Sequence, residues 1–228
     1  MIKKIFKIFE LFEKFQIYRL QEYLKLNDID TIIDVGAHKG IFFENFYKKK
    51  KLKKIYCFEP QKKYYNYLLN NFSKNSLYQI ENRAIDCSEK VKVLQINEED
   101  STSTMTELNE NSFIFKLKNF VLNKKNSYFK LEEIISIRLD TYLNKNDISK
   151  ISLILMDTEG YQLNIIKSLG SRISDIKYIL FRNKFIHPFK DYNFNEINNY
   201  LLSNNFILKK KFLHLGLTSV HCLYEYKD

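Results

Sequence analysis

One stretch of this chain, residues 31–40, constrains the fold more than any other. It is Thr-Ile-Ile-Asp-Val-Gly-Ala-His-Lys-Gly, so an apolar run ends in an acid and passes through two glycines into a helical pattern. The β-branched run predicts a strand that is buried on both faces, as in a parallel sheet. Gly36 and Gly40 let the backbone turn tightly and approach a ligand, and the amides that open the next helix would face that ligand.

Asp34 separates two ligands that use such a turn. A dinucleotide places its pyrophosphate on the amides, where this carboxylate would repel it. The pattern typical of that ligand is G-x-G-x-x-G, whereas this chain has D-x-G-x-x-x-G. S-adenosylmethionine carries an ammonium and a sulfonium, and a carboxylate suits both. The turn therefore favours S-adenosylmethionine, with a nicotinamide-dependent reductase as the alternative.

A second acid follows the next predicted strand, Ile55–Phe58. Asp34 and Glu59 enclose one strand–helix–strand unit, which puts Glu59 at the tip of the neighbouring parallel strand. Its two oxygens can accept hydrogen bonds from both hydroxyls of a ribose there. Pro60 has no backbone N–H and ends the strand, and the small Ala84 is expected to border an adenine. The predicted cofactor-binding residues are Asp34, Gly36, Ala37, His38, Gly40, Glu59, Pro60 and Ala84.

Strand and helix patterns alternate along the rest of the chain, which predicts an α/β fold with a mostly parallel sheet and right-handed crossovers. The alternation predicts helices at 61–72, 162–169 and 194–202, and strands at 77–80, 151–156, 178–181, 206–212 and 220–226. The last two strands, joined by a turn at Gly216, are expected to be antiparallel. Residues 91–96 predict an extra strand at an edge of the sheet.

The length of 228 residues and the even composition indicate one domain, at residues 31–228. Residues 1–30 predict an amphipathic helical extension, for which we favour packing against the domain over a contact with a membrane surface. Residues 98–134 fit the alternation of strands and helices least well, which indicates an insertion. One interpretation is that this insertion forms a lid over the ligand site at the glycine turn.

Composition limits the partners. Lys+Arg is 37 against Asp+Glu 27, a net charge of +10, but the lysines are spread through the chain rather than gathered in one patch. We therefore expect no nucleic-acid partner. Three cysteines without C-x-x-C signal neither a disulfide framework nor a zinc site, which fits a cytoplasmic location. No run reaches the roughly 18 apolar residues of a membrane span. The oligomeric state is left open.

The most apolar predicted strand, residues 151–156, ends in Asp157-Thr158-Glu159-Gly160. Ligands of an open parallel sheet bind beyond the carboxyl ends of its strands, where the strand order reverses. If the backbone stays extended, the carboxylates of Asp157 and Glu159 face one way. We expect Asp157 to act as a general base and Glu159 to orient the acceptor, with capping of the following helix as the alternative for Glu159. No third ligand is evident, so no metal is predicted.

Two further groups are candidates for the acceptor site. Ser103 and Thr104 belong to a tract of four hydroxyl residues that either lines the acceptor pocket or caps a turn. The strand predicted at 178–181 is followed by Arg182, Lys184 and His187, at the same end of the sheet as Asp157. This basic rim predicts an anionic or phosphorylated acceptor.

Taken in order, these motifs resemble FkbM-type S-adenosylmethionine-dependent methyltransferases. The matching segments are residues 34–40, 58–60, 82–84, 101–104, 138–140 and 157–160. The resemblance implies a Rossmann-like class I methyltransferase domain, with a seven-stranded sheet and helices on both faces. It also implies a small-molecule or carbohydrate acceptor, methylated on a hydroxyl, as in bacterial glycans and secondary metabolites.

The chain departs from the family pattern at three places. Leu155 replaces a lysine, Gln162 replaces an acid, and Arg182 or Asn183 stands where the family usually has an acid, at the end of the strand predicted at 178–181. Cofactor binding is untouched by these departures. A catalytically silent relative that keeps the fold as a scaffold is therefore a further alternative to an active enzyme.

Overall fold

The computed structural model describes residues 18–20, 22–24, 29–42, 52–97, 103–121, 130–214 and 218–227. A short 3₁₀ helix spans Gly170–Asp175. The elements in chain order are β1 (Thr31–Val35), β2 (Lys54–Phe58), α1 (Lys62–Phe72), β3 (Tyr78–Glu81), β4 (Ala84–Ile85), β5 (Val91–Ile96), α2 (Phe113–Val121), β6 (Lys130–Ile137), α3 (Leu139–Lys145), β7 (Ile151–Met156), α4 (Gln162–Lys167), β8 (Ile176–Lys184), α5 (Phe194–Ser203), β9 (Phe206–Leu213) and β10 (Ser219–Tyr226).

Seven strands form one sheet in the order β3-β2-β1-β7-β8-β10-β9. Strands β3 to β8 along this order are parallel, and β10 is antiparallel to both of its neighbours. The predicted α/β fold with an antiparallel last strand is therefore confirmed. The strand order reverses between β1 and β7, whose last residues Val35 and Met156 are paired. This reversal opens a crevice at the carboxyl ends of the two strands.

A second sheet corrects one prediction. Strand β5 does not lie at an edge of the main sheet; it pairs antiparallel with β6, from Val91 beside Ile135 to Ile96 beside Lys130. Strand β4 completes this three-stranded sheet on the other side of β6. The alternating pattern of 91–96 correctly predicted a strand. Its partner lies about 40 residues further along the chain, so local pattern carried no information on the pairing.

The main sheet is covered on both faces. Neighbouring residues of β1 point to opposite sides, so Ile33 packs with Phe58 in one cluster while Ile32 packs with Leu155 in the other. Leu20 and Leu24 are fully buried in the second cluster, which places the described part of the N-terminal segment against the sheet. The predicted helical pattern before residue 18 lies outside the described residues. Within the described part of the chain, no helix is long and apolar enough to cross a membrane.

Candidate active site

A crevice that opens to solvent lies at the carboxyl ends of β1, β2 and β7. Apolar side chains, among them Phe58, Ile85, Leu94 and Met105, form much of its wall. Among the residues predicted from the sequence, those that line it are Gly36, His38, Glu59, Pro60, Ala84, Ser103, Thr104 and Asp157.

The turn after β1 is tied to the end of β2. The backbone N–H groups of Gly36 and Ala37 both donate to the carbonyl of Phe58, at 2.9 and 3.2 Å. Gly36 has a φ of +80°, and a Cβ added there would lie 3.2 Å from the carbonyl oxygen of Asp157 and from the methyl group of Thr158. Glycine is therefore required both by the left-handed backbone and by the close approach of β7.

Glu59 is held in position by two backbone amides. Its Oε2 accepts from the N–H of His38 at 2.7 Å, and its Oε1 accepts from the N–H of Gln61 at 2.9 Å. Burial raises the pKa of Glu59 to about 7, although these two hydrogen bonds act in the opposite direction. Each oxygen keeps a second lone pair, so the carboxylate can still accept from two hydroxyls of a ligand.

Asp34 lies beneath the turn and does not line the crevice. The structure therefore does not support the direct contact with a cofactor that the sequence predicted for Asp34. Its side chain is 4% exposed, and no residue that the structure describes donates a hydrogen bond to it. Burial, with smaller contributions from Asp157 and Glu59, raises its pKa to about 8. A cation bound above the turn would offset these effects and favour the charged carboxylate.

Asp157 stands at the mouth of the crevice. Its Oδ1 accepts from Nε of Arg182 at 3.0 Å and pairs with Nη2 of Arg182 at 2.8 Å. In the described part of the chain, nothing donates to its Oδ2. The carboxylate is thus oriented through one oxygen, and the residue lines the crevice, so its second oxygen is available as a proton acceptor.

The backbone does not stay extended after Asp157, which corrects the prediction for Glu159. Glu159 and Gly160 have φ values of +48° and +91°, so the chain turns sharply. The carboxylate of Glu159 is buried in an ion pair with Lys184, at 2.6 Å, and with Arg182, at 3.1 Å. It neither lines the crevice nor caps helix α4, whose N-cap is Tyr161 without a side-chain hydrogen bond.

The predicted acceptor residues fall into two groups. Ser103 and Thr104 line the crevice, but the hydroxyl of Thr104 donates to the carbonyl of Glu159 at 2.7 Å and so holds the turn. Lys184 and His187 do not line the crevice. Lys184 is occupied by Glu159, and the ring of His187 packs against Phe189 with a pKa lowered by burial.

Sequence patterns missed two features of the site. The hydroxyl oxygen of Thr158 is buried in the crevice wall and has no hydrogen-bond partner among the described residues. A buried polar atom without a partner is costly, so this oxygen fits a polar ligand. The sequence analysis also missed that Arg182 orients Asp157. The one signal that could have indicated this role is the position of Arg182 near the end of β8. In the described ranges, no group of three or more His, Cys, Asp or Glu residues could hold a metal ion.

Comparisons with solved structures identify the fold. Magnesium protoporphyrin IX methyltransferase (ChlM) from Synechocystis, solved with bound S-adenosylmethionine, has a TM-score of 0.53 and 7% identity, over 95% of this chain and 81% of that chain. A ribosomal protein L11 methylase from Lactobacillus delbrueckii subsp. bulgaricus has a TM-score of 0.52 and 13% identity, over 95% and 80%. The human methyltransferase 10 domain containing protein has a TM-score of 0.53 and 10% identity, over 93% and 83%.

At such identities these likenesses show the fold alone, and no curated protein sequence matches significantly. The family is shown by the sequence itself. The model of the methyltransferase FkbM domain matches residues 34–208, which include the glycine turn, Glu59 and the Asp157–Gly160 segment. The chain therefore belongs to the FkbM methyltransferase domain family.

Proposed function

We propose that this protein transfers the methyl group of S-adenosylmethionine to a hydroxyl of a sugar or of a related bacterial glycan or metabolite precursor. Family and fold support a methyltransferase. The observation that carries the choice of a hydroxyl is the carboxylate of Asp157, which lines the crevice and has only one of its oxygens held by Arg182 among the described residues.

The crevice fits the cofactor. Glu59 offers two acceptor oxygens for the ribose hydroxyls, while Ala84, Leu94 and Met105 offer an apolar surface for a base. The orphaned hydroxyl of Thr158 offers a further polar contact. S-adenosylmethionine, when bound, supplies an electrophilic methyl group.

The acceptor side of the site has to position one oxygen and remove its proton. Holding the oxygen in near-attack range, about 3–3.5 Å from the carbon it attacks, supplies a large part of the rate. Asp157 takes the proton on Oδ2, a step that typically contributes about 10²–10⁴ in rate. Arg182 fixes the direction of the Asp157 carboxylate. Glu159 stabilises the turn that carries Asp157 and does not touch the acceptor.

The ion pairs of Arg182 and Lys184 support a neutral acceptor, whereas the sequence led us to expect a phosphorylated one. Arg182 and Lys184 are paired with Asp157 and Glu159, so the four side chains carry no net charge. A phosphate would have to compete with two carboxylates for these cations.

The test has two steps. Calorimetric titration with S-adenosylhomocysteine, the product form of the cofactor, and fluorescence titration with NADH distinguish a methyltransferase from a reductase. Turnover is then measured as S-adenosylhomocysteine release on matched pairs of neutral and phosphorylated sugars. Binding of NADH instead of S-adenosylhomocysteine would overturn the proposal. Binding of S-adenosylhomocysteine without methylation of any hydroxyl would favour the catalytically silent scaffold.

A further inference from the structure

Asn82, directly after β3, reaches across to the neighbouring strand β2. Its side-chain amide nitrogen donates to the carbonyl of Glu59 at 3.0 Å and to the carbonyl of Pro60 at 2.9 Å. The –NH₂ group of asparagine has two protons. Both protons therefore form hydrogen bonds, to two consecutive carbonyls of the turn that follows β2.

Among the described residues, backbone pairing ties this turn to β3 only as far as Glu59. The last backbone hydrogen bond between β2 and β3 runs from the N–H of Glu59 to the carbonyl of Glu81, at 3.0 Å. Pro60 has no N–H, so the ladder stops there. Asn82 continues the connection with its side chain where the main chain can no longer pair.

The carboxylate of Glu59 depends on the same turn. It accepts from the N–H of Gln61, two residues on, and from the N–H of His38 in the glycine turn. Both donors lie in loops rather than in strands, so they hold the carboxylate only while the turn keeps its place. Asn82 itself does not line the crevice.

We propose that Asn82 is a positioning residue for cofactor recognition and acts through Glu59. It holds the Glu59–Pro60 turn so that both carboxylate oxygens of Glu59 keep a lone pair directed at the ribose hydroxyls. The proposal rests on the cofactor assignment in the proposed function.

A double-mutant cycle tests this with S-adenosylhomocysteine as the calorimetric probe. The cycle consists of the wild type, Asn82→Ala, Glu59→Gln and the double variant. We expect each single change to weaken binding about tenfold or more, since hydrogen bonds to a charged group are involved. The double variant should bind no more than about twofold more weakly than Glu59→Gln, because the effect of Asn82 passes through Glu59.

Two variants serve as controls. Asn71→Ala removes an asparagine whose amide also donates to a carbonyl, that of Tyr67, on the exposed side of α1, and it should bind like the wild type. Asn82→Ser keeps one hydroxyl donor and should retain part of the affinity, which also covers the case that Asn82→Ala fails to fold.

The cycle separates the possible roles. If Asn82→Ala weakens binding as much in the Glu59→Gln background as in the wild type, Asn82 acts on the fold in general and the proposal is overturned. Unchanged binding in Asn82→Ala overturns it as well. If the wild type itself does not bind S-adenosylhomocysteine, the cofactor assignment fails first, and this inference fails with it.

Discussion

Arg182 holds Asp157 through a single oxygen. Nε and Nη2 of the guanidinium both contact Oδ1, at 3.0 and 2.8 Å, and Nη2 also reaches Oε1 of Glu159 at 3.1 Å. One cation on β8 thereby orients the carboxylate at the end of β7 and anchors the turn behind it. An arginine can do this because its planar fork offers several donors in fixed directions.

The first prediction concerns Asp157→Asn. The amide keeps the shape of the side chain but cannot take a proton, so turnover should fall by about 10²–10⁴. Binding of S-adenosylhomocysteine should change little, because the contacts proposed for the cofactor lie on Glu59 and the glycine turn. Initial rates and calorimetry on the same preparation measure the two effects.

The control for this variant is Asp191→Asn, an exposed aspartate on the loop between β8 and α5. It should leave both rate and affinity unchanged. Full activity in Asp157→Asn would exclude Asp157 as the base.

Lys184→Met should destabilise the fold. Glu159 is 3% exposed and loses its closest cation, at 2.6 Å, while Arg182 remains. A buried charge that loses one of two partners is expected to cost about 1–3 kcal/mol in the free energy of unfolding. Urea unfolding measures this. Lys190→Met, which breaks an exposed ion pair with Glu107, should be neutral, and equal effects of the two variants would contradict the prediction.

Gly160→Ala should also destabilise the protein. Gly160 has a φ of +91°, and a Cβ there would lie 2.7 Å from the ring of Phe189, which is itself buried. The backbone strain alone is expected to cost about 1–3 kcal/mol. Thermal and urea unfolding would measure the loss. Phe189→Leu should recover part of it in the double variant, and failure of any recovery would show that the ring contact is unimportant.

Asp34 predicts a pH dependence of stability. Its pKa is raised in the folded protein from 3.8 to about 8. The folded state therefore holds this proton more tightly than the unfolded chain does, so the contribution of Asp34 to stability is fully present below pH 3.8 and is lost as pH rises through about 8. Asp34→Asn should remain stable at pH 8 and show a flatter profile in urea unfolding.

A smaller slope should remain in Asp34→Asn, since the pKa of Glu59 is also raised, to about 7. Adding Glu59→Gln should remove the contribution of Glu59 to this slope, which falls between about pH 4.5 and 7. Identical pH profiles for Asp34→Asn and the wild type would show that Asp34 is not the group that titrates.

Leu24→Ala tests whether the N-terminal segment belongs to the core. Leu24 is fully buried against the second face of the sheet, and truncation of such a leucine costs about 2–5 kcal/mol. Leu202→Ala, at a position that is 49% exposed on α5, is the matched control and should cost far less. Equal losses in urea unfolding would mean that the segment does not pack against the sheet in solution.

Several features of this protein are local and could be predicted from the sequence. The glycine turn after β1, the acid at the tip of β2 and the alternation of strands and helices each depend on residues close together in the chain. Their spacing is enough because backbone sterics and side-chain periodicity act over a few residues. The family motifs add the order in which these features occur.

The rest was decided by contacts between distant parts of the chain. The partner of β5 lies in β6, and the ion pairs that turn Glu159 and Lys184 toward each other join β7 to β8. A carboxylate two residues after Asp157 could have faced the crevice, but Glu159 is buried beside two cations, which offset part of the cost of removing its charge from water. The sequence alone determined the strand ends that build the crevice, whereas the tertiary structure decided which carboxylate is left open to it, because charges pair according to distance in space.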